Sequence, residues 1–388
     1  VSEDYIYTFA VHEDLELVAE FELVSIVSME YELVEGWNWW SSCIDLSRSG
    51  LTSLEDALSE HGRLIKSQWG GFVVNEDGRW YGNISALNNR SMYRILTNAD
   101  VSVSMMAPRV NLSQLDIELA AGWNWIGYPL SEIQTVEEAL SDIEADLGDM
   151  VKSHSEFSIF EGDGEWFGML HYMVPGQGYM YRSGQPHSFH YHNGRSIVEN
   201  DEERDMHWTT DVSLYPDNMS IVATVYVNSE EQQSDQLEVG AFSEGKMVGS
   251  AQLRYNGRRD RWYALIPVSG NDGEEISFRL YDDVSNSEYG IEAEERLSFT
   301  ADEVIGSLDE PMALHFQTST GIGENTSAML HIYPNPVKRG GEIRLGLPDD
   351  AGKVRVELYN VLEVLVSAKE TTGDSVTLNE IEIGRAGQ

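Results

Sequence analysis

Three histidines, His187, His190 and His192, lie close together, and His190 and His192 fall on one face of a strand, where paired imidazoles can bind zinc. The run Glu161-Gly162-Asp163-Gly164-Glu165 offers the hard oxygen ligands that calcium takes. Both patterns have simpler readings. The histidines correspond to Val101, Ser104 and Met106 in a second copy of the same pattern, described below, so they are expected to be exposed, solubilising side chains. The acidic run corresponds to Asn75-Glu76-Asp77-Gly78-Arg79, and its spacing is not that of a helix–loop–helix calcium site, so a hairpin turn is expected. His12-Glu13-Asp14 lacks the second His of a zinc-protease helix, and the chain contains no Gly-x-Ser-x-Gly elbow, phosphate loop or dinucleotide fingerprint. The expectation is a chain with no catalytic residues, no cofactor and no metal centre, on whose acidic surface weak calcium binding would be unsurprising.

The ten tryptophans raise a different chemistry, since indole faces stack on sugar rings. Trp37, Trp39, Trp123, Trp125, Trp80 and Trp166 recur at matching positions, which favours core packing for them. Trp40 and Trp69 become Ile126 and Ser155 in the second copy, so these two are expected to be exposed and are the candidate ligand contacts.

The elements that carry these residues come from an internal repeat with an offset of 86 residues. Gly36-Trp37-Asn38-Trp39 returns as Gly122-Trp123-Asn124-Trp125, Lys66-Ser67 as Lys152-Ser153, Trp80-Tyr81-Gly82 as Trp166-Phe167-Gly168, and Tyr93 as Tyr179. Each copy has a hydroxyl–carboxylate capping pattern, at Ser53-Leu54-Glu55-Asp56 and at Thr135-Val136-Glu137-Glu138, ahead of a short helix. Each also has an Asp-Gly pair, Asp77-Gly78 and Asp163-Gly164, between β-prone runs, the signature of a type I′ hairpin. Two small α+β units follow, spanning residues 31–110 and 111–194.

Residues 195–206 are polar and acidic and read as a linker. Residues 207–317 contain evenly spaced strand patterns, Met219–Val227, Leu237–Phe242, Met247–Tyr255, Arg261–Val268 and Glu275–Asp282, joined by turns such as Asn271-Asp272-Gly273. This pattern indicates a β-sandwich. It resembles an immunoglobulin-like module of secreted bacterial multidomain proteins, with Val239-Gly240-Ala241-Phe242 and the ending Phe299-Thr300-Ala301-Asp302 carrying the likeness. At the other end, residues 1–30 read as two strands, Tyr5–Val11 and Leu15–Glu22, and resemble the closing hairpin of internalin-type surface repeats. The fold class expected for the whole is mainly β and multidomain, with the units folding independently.

A second Thr/Ser/Gly-rich linker, 318–328, leads to Tyr333-Pro334-Asn335-Pro336, where two prolines fix φ and remove two backbone donors, giving a rigid turn. Strand-like runs follow at Glu342–Leu347, Lys353–Leu358 and Val364–Ala368. Residues 329–388 resemble the C-terminal sorting domain of the type IX secretion system of Gram-negative bacteria, a small β-sandwich opened by this Tyr-Pro-Asn-Pro motif. Two features depart from that family. Asn360-Val361-Leu362-Glu363-Val364 lacks the usual Gly, and the sequence stops at Gly387-Gln388 where the family's last strands would come, so the domain reads as truncated. The resemblance implies export by the type IX machinery to the outside of the cell or the outer-membrane surface.

Composition sets the outer bounds. With 25 Lys and Arg against 66 Asp and Glu, the net charge is −41, which makes nucleic acid a poor partner. Apolar runs are strand-sized, so no membrane-spanning helix is expected. The one cysteine, Cys43, forbids an intrachain disulfide, so stability rests on buried apolar area. The start Val1-Ser2-Glu3 has neither an initiator Met nor a signal-like segment, and the chain reads as a piece of something longer. Together these features predict a non-catalytic region of a secreted or surface protein, acting as adhesin-like binding or spacer modules toward a glycan or protein. The alternative is a carbohydrate-binding accessory region of a larger secreted hydrolase.

Overall fold

The structure, a computed structural model, describes residues 25–194, 206–289, 293, 295–317, 331–333, 343–346, 354–359, 365–371 and 375–378. Among these, strands dominate and only two α-helices occur, in keeping with the mainly β class.

The first unit runs β1 (Ile26–Leu33), β2 (Gly36–Trp40), α1 (Gly50–Leu58), β3 (Gly62–Lys66), β4 (Phe72–Glu76), β5 (Arg79–Gly82), β6 (Tyr93–Thr97) and β7 (Val101–Pro108). The second repeats it with β8 (Ile117–Leu119), β9 (Gly122–Gly127), β10 (Gln134–Thr135), α2 (Val136–Ala139), β11 (Met150–Lys152), β12 (Phe157–Gly162), β13 (Glu165–Gly168), β14 (Tyr172–Met173), β15 (Gly178–Ser183) and β16 (His187–Phe189). The sheet order is β2-β6-β3-β4-β5 in one and β9-β15-β11-β12-β13 in the other, and β1–β7 matches β8–β16 as a separate antiparallel ribbon. The repeat seen in sequence is therefore a repeat of topology.

Local chemistry explains why. Asn38 Nδ2 donates to the Val34 and Gly36 carbonyls while Asn38 Oδ1 accepts from Val34 N, and Asn124 does the same with Ala120 and Gly122. Gly36 and Gly122 sit at φ of 101° and 92°, a backbone that side chains rarely tolerate. The Gly-x-Asn-x pattern thus folds the turn that starts each sheet. Asp77-Gly78 and Asp163-Gly164 all have positive φ, as the type I′ hairpins require. Thr135 caps α2 by accepting from Glu138 N at 3.2 Å. Ser53 does not cap α1, because the helix starts one turn earlier: Ser49 is the cap residue and its carbonyl accepts from Ser53 N at 2.8 Å.

The sandwich-like domain comprises β17 (Asn218–Val227), β18 (Glu230–Glu231), β19 (Leu237–Ser243), β20 (Lys246–Asn256), β21 (Arg261–Ser269), β22 (Glu275–Asp282), β23 (Ser287–Glu288), β24 (Leu297–Ser298), β25 (Val304–Ile305) and β26 (Met312–Phe316). Its ten strands form one curled sheet, in which the long β20 pairs with β19 along one stretch and with β21 along the other. A core including Ile221, Val225, Val239, Ile266, Phe278 and Phe316 fills the curl. In the C-terminal region β27 (His331–Tyr333), β28 (Ile343–Gly346) and β31 (Ser375–Leu378) form one sheet, and β29 (Val354–Tyr359) pairs with β30 (Leu365–Thr371). The N-terminal strands expected within residues 1–24, the two linkers (195–205 and 318–328), and Pro334-Asn335-Pro336 lie outside the described residues. Of the motif, only the backbone of Tyr333, at the end of β27, is described.

The second unit and the sandwich-like domain pack directly against each other. Met150, Phe157 and Ile159 of the second unit share one buried cluster with Val222, Tyr263, Leu265 and Leu308 of the sandwich-like domain. That cluster is why β17 is buried on both faces, its odd residues in its own core and Val222 against the neighbouring unit. No described helix is long and apolar enough to cross a membrane.

Candidate functional site

Trp69 and Trp40, paired by their replacement in the repeat, separate completely. Trp69 is 82% exposed in the turn between β3 and β4, as expected of a ligand contact. Trp40 is 0% exposed, packed edge-on to Tyr31 at 5.5 Å in the core of the first unit, so it is removed as a ligand contact. Strand alternation gives the reason: Trp37 and Trp39 leave β2 on one side, so Trp40 must leave on the other, toward the core. Its counterpart Ile126 is buried too, so the difference between the units is one of size within a core.

Alternation also relocates the other tryptophans. Trp80 and Trp166 pack against their units' own cores, as expected. Trp39, Trp123 and Trp125 instead meet Met92 and Met180 on the outer faces of the two sheets, where the units abut. Gln68 ties that contact by donating to the Trp123 carbonyl at 2.6 Å and accepting from Trp125 N at 2.9 Å.

Into this aromatic seam project two cations, Arg94 from β6 and Lys152 from β11. Arg94 lies over the rings of Trp39 (4.8 Å) and Trp125 (4.2 Å), and Lys152 over Trp123 (4.4 Å). The sandwich-like domain supplies the anions. Arg94 pairs with Asp217, and Lys152 Nζ donates to Asp302 Oδ1 at 2.8 Å and to the Asn218 carbonyl at 3.1 Å. Trp39 Nε1 donates to the Pro216 carbonyl at 3.0 Å and Trp123 Nε1 to that of Asp302 at 2.7 Å. His154 stacks on Trp39 at 5.1 Å, with its Nε2 2.8 Å from the Tyr215 carbonyl. Burial pulls the Lys152 ammonium down to about 8 against the opposing pull of Asp302, and burial takes His154 to about 4. Arg94 is likewise lowered by burial, against the attraction of Asp217 and Asp302. Buried cations with short carboxylate partners and ring faces make a structural lock between the units and the sandwich-like domain. Lys152 had been legible as a repeat landmark, but nothing local in the sequence paired it with Asp302, 150 positions away.

The acidic hairpin is a docking element as well. Glu161 accepts from Arg259 Nε at 3.0 Å, and Asp163 and Glu165 accept from Arg258 at 2.8 and 2.7 Å. Its carboxylates are thus taken up by arginines of the sandwich-like domain.

The histidines divide. His190 and His192 are substantially exposed and pair with Asp116 and Asp142. His187 is not the exposed side chain expected: it is 11% exposed, and its Nε2 lies 3.7 Å from Asp146 Oδ2. Asp146, Asp149 and His187 are the described residues whose ligand atoms lie close enough together to hold a metal ion. Asp149 is already committed, accepting from Tyr181 Oη (2.9 Å), Gly184 N (2.8 Å) and Asp146 N (3.1 Å). Asp149 thereby anchors the turn before β11, and burial together with its charge raises the Tyr181 phenol.

One open cleft, of about 1050 Å³, lies where the ends of β1 and β7 meet the loops at 45–49 and 87–90. Arg48, Arg90 and Arg109 line it with Asp45, an excess of cations in a chain of net charge −41. Arg90 donates to the Asp116 and Gln114 carbonyls and Arg109 to Ser131 Oγ, so both guanidinium groups are held in place. Such a cleft suits an anionic or carboxylate-bearing ligand.

No family model, no curated protein and no solved structure matches this chain.

Proposed function

We propose that this chain is a non-catalytic region of a secreted or cell-surface protein exported by the type IX secretion machinery, acting as adhesin-like binding and spacer modules. The observation that carries the reading is the buried seam of Arg94–Asp217 and Lys152–Asp302. Its buried charges hold modules together, which is what a spacer under load needs. The Tyr333-Pro334-Asn335-Pro336 motif supports the export route, and with it a location outside the cell or on its outer membrane. Screening the full chain for turnover of polysaccharides and peptides tests this reading. Specific turnover abolished by one carboxylate substitution would overturn it.

A second reading, a carbohydrate-binding accessory region of a larger secreted hydrolase, draws on the exposure of Trp69 and on the arginine-lined cleft. Indole stacking and a cationic cleft are the features that acidic glycans use. A glycan array decides between the two. Binding of an acidic glycan that is lost with Trp69→Ala or Arg90→Ala supports the accessory region, and an empty array removes it.

A further inference from the structure

The two units carry similar outer faces; among the described residues that of the second is covered over β11–β13, whereas that of the first is covered at Trp39 and Arg94 and open at Phe72 and Tyr81. Register places Trp39, Arg94, Lys66 and Phe72 in one cross-strand row of the first sheet and Trp37, Leu96, Leu64, Val74 and Tyr81 in the next. The corresponding rows of the second sheet are Trp125, Met180, Lys152 and Phe157, then Trp123, Arg182, Met150, Ile159 and Phe167. Size and polarity match at the positions that matter: Phe72 with Phe157, Val74 with Ile159, Tyr81 with Phe167, Leu64 with Met150, Lys66 with Lys152.

In the second unit these side chains lie under the sandwich-like domain. Phe157, Ile159 and Met150 are 1%, 4% and 1% exposed against Val222, Tyr263 and Leu265 of β17 and β21. In the first unit Phe72 is 43% and Tyr81 50% exposed, and Trp69 in the adjoining turn is 82% exposed. Apolar side chains on a solvated strand face gain nothing from being there, and clusters of them mark interaction surfaces. The charge repeats as well. Lys152 is met by Asp302, whereas Lys66 lies over the Trp37 ring at 5.1 Å with no carboxylate within 4.0 Å among the described residues.

We propose that the outer face of the β3–β4–β5 sheet in the first unit is a docking site for a second sandwich-like module, built like residues 206–317, which lays an aliphatic–aromatic strand pair on Phe72, Val74 and Tyr81 and sets a carboxylate against Lys66. The observation that names this occupant is the module already seated on the equivalent face, with the same apolar contacts and the same lysine–aspartate pairing. The proposal goes beyond the spacer reading and does not depend on the export route or on any glycan.

The probe is the 206–317 segment as a separate polypeptide. It carries its own core of 21 buried side chains, all from within residues 219–316, so it folds without the units. Released from the second unit, it presents Val222, Tyr263 and Leu265 to solvent. Titrated into the full chain by calorimetry, it is expected to bind one to one, at least tenfold more weakly with Tyr81→Glu or Lys66→Glu, and unchanged with Val284→Glu at an exposed position elsewhere. No binding, or binding indifferent to Tyr81→Glu, overturns the proposal. So does self-association of the full chain through this face, or glycan binding abolished by Phe72→Ser. A measurement that needs no probe is the melting of the full chain. Phe72→Ser with Tyr81→Ser should leave the transition in place while Phe157→Ser lowers it, and an equal loss from both would mean that the face serves the chain's own fold.

Discussion

Lys152 Nζ and Asp302 Oδ1, 150 positions apart in sequence, meet at 2.8 Å with the lysine side chain 1% exposed, and the pair joins the second unit to the sandwich-like domain. A buried cation left without its partner is costly. Asp302→Ala is expected to destabilise the chain by about 2 kcal/mol, below the usual cost of breaking a fully buried pair because Asp302 itself is 28% exposed. Lys152→Met in the same chain should recover much of that loss. Denaturant midpoints of the two single variants and the double variant check the relation, and strict additivity would contradict it.

His154 gives the seam a pH dependence. Its pKa falls from 6.5 unfolded to about 4 folded, because burial disfavours the imidazolium. Between those values the unfolded chain binds the extra proton, so stability is full above about 6.5 and declines as pH falls toward 4. His154→Phe keeps the stack on Trp39 and removes the titration. Thermal melts between pH 7 and 4 should show a shallower decline for that variant than for the parent.

The separation of the two tryptophans is directly measurable. Trp40→Ala empties a fully buried site and is expected to cost about 3–5 kcal/mol. Trp69→Ala, at an exposed turn, should stay within about 0.5 kcal/mol. Equal effects in chemical unfolding would contradict the placement of both.

Asp149 is the anchor of the turn before β11. Asp149→Ala removes the acceptor for two backbone N–H groups and the Tyr181 hydroxyl, with an expected cost of about 3 kcal/mol. Asp149→Asn, which keeps one oxygen, should cost less. Loss of amide protection at Gly184 in hydrogen exchange would locate the effect.

Much of the architecture is local and was legible. The Asp-Gly hairpins, the Gly-x-Asn-x turns and the strands at Glu275–Asp282 and Arg261–Ser269 follow from residue types within a few positions of each other. The helix starts one turn before Ser53, a choice that residue type does not make, since Ser49 and Ser53 carry the same hydroxyl. Trp40 is buried although the repeat replaces it by Ile126, because alternation from Trp39 points it inward and Ile126 is a core residue too.

By itself the sequence determined the repeat and the mainly β class, since turn geometry and period-two patterning act over a few residues. It could not determine that Phe157 is covered while Phe72 is bare, or that Arg94 and Lys152 find Asp217 and Asp302. Those outcomes depend on which sheet face a distant module lands on, and a strand carries the same alternation whether its outer face meets water or another domain.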